Sequence, residues 1–168
     1  MLLVTLVYGW FIATVMPAQS AISLTYAGEW GAPDGHFFYT PDVLYEQLKQ
    51  WSDFGRNDYI RFRLSMDILW ALAYTAWLIA TISCALRLSG AHLSKWGNLN
   101  LLPLITMGAD YIENGLGIVL VNALPERLDG IAWIVAGFTA FKWSSLALSH
   151  IVLITALAVA LWQKTKQR

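Results

Sequence analysis

The chain has little of what most chemistry uses. Its 168 residues include one cysteine, Cys84, three histidines, and only 13% charged residues. One cysteine excludes an intramolecular disulfide and a CxxC quinone-linked oxidoreductase. The histidines stand at His36, His92 and His150, in an outer segment, an inner loop and an apolar helix. They cannot converge on a zinc or a bis-histidine haem without crossing a bilayer, so no metal and no cofactor are expected. There is no basic patch with interleaved aromatics, so nucleic acid is not an expected partner. Internal repeats and low-complexity tracts are also lacking.

What the chain has is apolar residue, 57% of the total, with nine tryptophans. This is too apolar for an ordinary soluble domain. The hydrophobicity falls in blocks, at about 2–18, 59–87, 101–124 and 131–162, each near the roughly 20 residues that span a bilayer as helix. The expected fold is all-α: a single integral membrane four-helix bundle with an extracytoplasmic amphipathic helix between the first and second spans. The first block, followed by Pro17-Ala18-Gln19-Ser20, also has features of a signal peptide, but it lacks the positive start and is read as a short span.

Charge placement orients the bundle. The 87–98 loop and the tail after Trp162 carry Arg87, Lys95, Lys164, Lys166 and Arg168 and no acid, whereas six acids fall between Gln19 and Asp58. Basic residues stay inside, so both termini are expected to be cytoplasmic and the protein to sit in a plasma (inner) membrane. Arg56, Arg61 and Arg63, at the outer start of the second helix, run against that trend.

In the outer segment, Gly28, Gly31, Pro33 and Gly35 predict turns. Thr40-Pro41-Asp42 predicts a helix start with a hydroxyl cap, a proline where no N–H is needed and an acid at the positive end. Leu44, Leu48 and Trp51 then give it an apolar face, and Gly55 is expected to end it. The helix reads either as a connector lying on the membrane surface or as a lid.

The candidate site comes from charges inside apolar blocks. Twelve residues separate Pro125 from Glu113, and twelve separate Gly130 from Lys142. In an antiparallel hairpin both groups then lie roughly 18 Å below the joining loop, near the middle of a hydrocarbon core about 30 Å thick. Charges at that depth are expected to pair and are candidates for function. Thr106, Asp110, Glu113, Asn114 and Gly117 share one face of the third helix, and Thr139, Lys142, Ser145 and Ser149 share one face of the fourth. Gly108 and Gly115 are expected to permit close helix approach. On the second helix, Arg63 and Asp67 are expected to pair at the interface, and Tyr74 is placed to hydrogen-bond Glu113.

Two carboxyls against one lysine predict that one carboxyl carries a proton, because full ionisation strands a buried charge. The expected ligand site is Asp110, Glu113, Asn114, Lys142, Tyr74, Ser145 and Ser149, with Glu113, Asp110 and Lys142 as catalytic candidates. Three classes of function fit. The first is binding, with proton-coupled transport, of a small or lipid-like ligand. The second is an accessory subunit that docks a membrane-protein partner or a second copy through its outer segment. The third is an acid-base enzyme acting on a lipid or isoprenoid. A serine-hydrolase arrangement of Ser145, Ser149, His150 and Asp110 is weak, since neighbours Ser149 and His150 point about 100° apart on a helix. A cavity reaching Glu113 favours the first and third classes, and a dry packed cluster favours the second.

Overall fold

The computed structural model describes residues 1–91 and 96–166; expectations resting on His92, Lys95 and Arg168 lie outside them. The described residues are helical or irregular, with no strand, and four helical runs are long and apolar enough to cross a membrane.

The first run is longer than its apolar block. Helix α1 (Leu2–Trp10), a π-helical turn (Phe11–Val15) and α2 (Met16–Ala27) continue to Trp30. Pro17 has no N–H and its ring crowds the carbonyl four residues back, so an α-helix passes through it only with local adjustment. The widened turn lies directly before it, and the Met16 N–H reaches the Phe11 carbonyl. Gln19–Ala27, expected to be connector, is therefore helix. The turns begin only at Gly28 and Gly31, both at positive φ.

Helix α3 (Pro41–Leu48) starts as its sequence predicts, with the Val43 N–H donating to Thr40 Oγ1 at 3.4 Å. It does not run on to Gly55. Ser52 accepts from the Gly55 N–H at 3.2 Å and starts a new helix, α4 (Asp53–Arg63), with Gly55 in its first turn. Gly55 is needed for packing: a Cβ there falls 2.5 Å from the Tyr26 ring. The greasy face of α3 does not lie on a membrane surface either. Leu44, Tyr45, Leu48 and Trp51 are buried in a core with Tyr26, Tyr39, Tyr59, Leu120, Val121 and Val135. Arg127, in the connection before α7, fastens α3 by an ion pair to Asp42 at 2.6 Å, and its guanidinium lies over the Tyr45 ring.

The second long apolar run is two helices, α4 and α5 (Met66–Leu88), broken at Leu64–Ser65. Helices α6 (Leu102–Ala123) and α7 (Asp129–Lys166) form a hairpin, the most extensively packed pair, and α5 packs on both. The faces expected to be buried on α6 and α7 are buried. Close approach comes at Gly117, where a Cβ falls 2.5 Å from Tyr59 Oη; nothing lies near Gly108 or Gly115, so they do not serve that purpose.

Two apolar cores result. The aromatic-rich one joins α2, α3 and α4 to the end of the molecule that carries the 124–128 connection, the loop end. The second, of Ala71, Leu78, Ile82, Ala85, Leu86, Leu153 and Ala156, lies toward the chain ends. Gln163, donating to the Ser89 carbonyl at 3.2 Å, ties the last turns of α7 to the end of α5. Between the cores lies a polar layer.

Candidate functional site

The layer is built on two cations, each shared by two carboxylates. On α7, Lys142 Nζ lies 2.7 Å from Glu113 Oε2 and 3.3 Å from Asp110 Oδ1, both on α6. The expected Glu113–Lys142 contact is therefore present across the hairpin. Glu113 Oε2 has Nζ as its ion-pair partner, and Oε1 lies 2.7 Å from the Thr139 hydroxyl. Tyr39 Oη sits 3.4 Å beyond that hydroxyl.

The second cation is Arg63. Its Nη1 donates to Asp67 at 2.6 Å and its Nη2 to Asp34 in the turn after α2. The expected Arg63–Asp67 pair is present, and both side chains are buried within the protein, at 4% and 3% exposure. The break at Leu64–Ser65 falls between them, yet their four-residue spacing still brings them together. Burial alone pushes the Asp34 carboxyl up, but the adjacent Arg63 guanidinium and the Lys142 ammonium outweigh it and hold Asp34 below the usual carboxylate range.

Asn114 joins the two triads. Its Nδ2 donates to Asp67 Oδ2 at 2.7 Å and lies 3.5 Å from Asp110 Oδ1. Tyr74 also enters the layer, but through Asp110 at 3.1 Å and not through Glu113. The helix 5–helix 6 register sets Tyr74 opposite Asp110, one turn from where the loop counts set it.

Two expected members serve the helices more than the charges. Ser145 accepts from Thr106 at 2.9 Å and donates to the Lys142 carbonyl, while Ser149 donates to the Ser145 carbonyl. His150 Nδ1–H donates to the Leu146 carbonyl at 2.9 Å, so Ser149 and His150 are not hydrogen-bonded to each other.

A cavity of about 310 Å³ adjoins this layer. Its floor is α5 and α6, through Asp67, Tyr74, Leu78, Thr106 and Asp110. One wall is Tyr8 and Met16; the other is Lys142, Trp143, Leu146 and His150. Trp70 closes it from α5, stacked on Tyr8 at 5.6 Å. The lining of this cavity includes Asp110 and Lys142 but not Glu113, which borders a separate void of about 10 Å³.

Sequence reasoning missed Asp34 and the inward role of Asp67 and Arg63. Asp34 gave no signal, because a turn acid among glycines reads as solvated. Asp67 gave one: it shares a helical stripe with Trp70, Tyr74 and Trp77. Comparison with family models, with curated proteins and with solved structures returned no match.

Proposed function

We propose that this is an integral membrane protein, a four-span bundle with both chain ends on the cytoplasmic face of a plasma (inner) membrane, that binds a lipid-like amphiphile in the cavity between α1 and α7. The head of the ligand lies against Asp67, Asp110 and Lys142, and its chain runs along Tyr8, Trp70, Leu78 and Leu146. The observation that carries this reading is the cavity itself: it joins a charged end to an apolar end, as an amphiphile does.

The depth of the site supports the same reading. Charged helices α3 and α4 flank α6 and α7 for about ten residues below the loop end, so that stretch suits the headgroup zone better than hydrocarbon. From Lys142 to Trp162 is roughly 30 Å of helix, and from Asp67 to Leu88 roughly 32 Å. Each matches a hydrocarbon core of about 30 Å, whereas α6 runs only about 12 Å from Asp110 to its first residue, Leu102. On this reading the cluster lies at the edge of the hydrocarbon, not at mid-depth as the loop counts alone suggest. An amphiphile's head then sits where headgroups already are.

Acid-base catalysis by Glu113 has less support, since Glu113 is walled off from the cavity by its own partners. Docking through Leu44, Leu48 and Trp51 has none, since those side chains are buried within the chain. A partner or second copy retains one observation in its favour. Ile112 and Val119 on α6, and Trp133, Ile134 and Phe141 on α7, are 44–51% exposed at the level assigned to headgroups. Such a patch commonly marks a protein contact.

The test is extraction in a mild detergent, followed by mass spectrometry of retained lipids, for wild type, Leu146→Trp and Lys142→Met. A stoichiometric amphiphile retained by the wild type and lost when Leu146→Trp fills the cavity supports the proposal. Equal retention by all three, or none by the wild type, rejects it.

A further inference from the structure

The charge count of the polar layer narrows the ligand. Asp34, Asp67, Asp110 and Glu113 are four carboxylates, and Arg63 and Lys142 are two cations, so the layer is two positive charges short when all are ionised. The Arg63 fork is divided between Asp34 and Asp67, with Nε left unpaired away from the cavity lining, and Lys142 is divided between Asp110 and Glu113. Three of the four carboxylates, Asp34, Asp67 and Asp110, line the cavity, against Lys142 alone. An anionic head therefore meets an ammonium already shared twice, beside three acids. A neutral head leaves the deficit to be met by protons on the carboxyls.

The walls are aromatic where the charges are. Tyr8, Trp70, Tyr74 and Trp143 line the cavity, with Trp70 edge-on to Tyr74 at 5.6 Å and stacked against Tyr8. Ring faces beside carboxylates are the surroundings in which alkylated ammonium groups bind, because the ring quadrupole attracts the cation and the methyl groups need no hydrogen-bond acceptor. A metal ion fits less well: among the described residues no three histidine, cysteine or acidic side chains are placed to share one.

We infer that the cavity selects an amphiphile whose head is an organic cation, an alkylammonium or quaternary ammonium group, held between Asp67, Asp110 and the rings of Trp70, Tyr74 and Trp143. This rests on the amphiphile reading above and adds the sign of the head.

The test presents three probes with one chain length and different heads to the wild-type protein in maltoside micelles: dodecyltrimethylammonium, dodecyl phosphate and dodecanol. Native mass spectrometry counts the one-to-one adducts. The expected result is about ten-fold or more preference for the ammonium probe. That preference should fall at least several-fold in Trp70→Leu, which removes a ring and no charge. Equal retention of all three probes overturns the cation assignment while leaving the amphiphile reading standing. Preference for the phosphate overturns it outright, and retention of none overturns both. The ranking needs only the wild-type protein, so a poorly folding variant does not rescue the inference.

Discussion

The two triads of the polar layer have the same arithmetic and different construction. In one, the Arg63 guanidinium divides its planar fork between Asp67, one turn away on the same chain stretch, and Asp34 from a distant turn. In the other, the Lys142 ammonium sits between two carboxylates of a single facing helix. A fork holds two partners in fixed directions, so Arg63 acts as a strap that binds the turn after α2 to the break between α4 and α5. A point charge has no such geometry, and Lys142 serves as a counter-charge that makes burial of Asp110 and Glu113 tolerable. Their exposure differs accordingly: Asp34 keeps 24% of its side chain accessible, while Glu113 keeps 3%. One triad reaches the surface through Asp34 alone and is positional; the other is buried throughout and electrostatic.

The largest expected effect breaks the enclosed triad. Lys142→Met leaves two carboxylates buried without their cation, and loss of one partner of a buried ion pair costs about 3–5 kcal/mol. Thermal unfolding in detergent should show it, and adding Glu113→Gln should recover part of the loss. Next comes Arg63→Lys, which keeps the charge and removes the fork. It should cost about 1–3 kcal/mol, and should raise proteolysis in the 28–40 turn before it affects the chain-end core. Asp110→Asn should cost less than either, about 1 kcal/mol, because it removes a surplus acid and keeps a group able to meet Tyr74 and Lys142. A larger loss for Asp110→Asn than for Lys142→Met contradicts the account of charge surplus.

The smallest effect depends on pH. Asp34 is held below the usual carboxylate range, so its contribution to stability is present above the unfolded value of about 3.9 and is lost as pH falls through its lowered folded value. The melting temperatures of wild type and Asp34→Asn should therefore differ at pH 6 and converge as pH falls below about 4. A constant difference across that range rules out the Asp34–Arg63 contact as its source.

The contrast also explains what could be read from the residues alone. The Lys142 triad was legible because both its helices are regular: counting from one loop fixes register, and charges in apolar blocks stand out. Four long apolar helical runs were legible for the same reason. Where regularity fails, counting fails. The π-turn before Pro17 and the restart at Ser52 follow from local chemistry weaker than the hydrophobic pattern. The inward turn of the α3 face depends on contacts with α6 and α7 that no local pattern encodes. Asp34 joined the site by a tertiary contact across 29 residues, and Tyr74 found Asp110 because helix register, not depth from a loop, decides neighbours.

The central claim, that an amphiphile binds beside Asp110 and Lys142 between α1 and α7, is tested most directly by accessibility at Leu146, which lines that cavity. In a Cys84→Ser background, Leu146→Cys is reacted in membranes with a lipid-soluble and a water-soluble maleimide, with and without dodecyltrimethylammonium. The account predicts modification by the lipid-soluble reagent, slowed several-fold by the amphiphile. The same modification rate in its presence and absence contradicts the account.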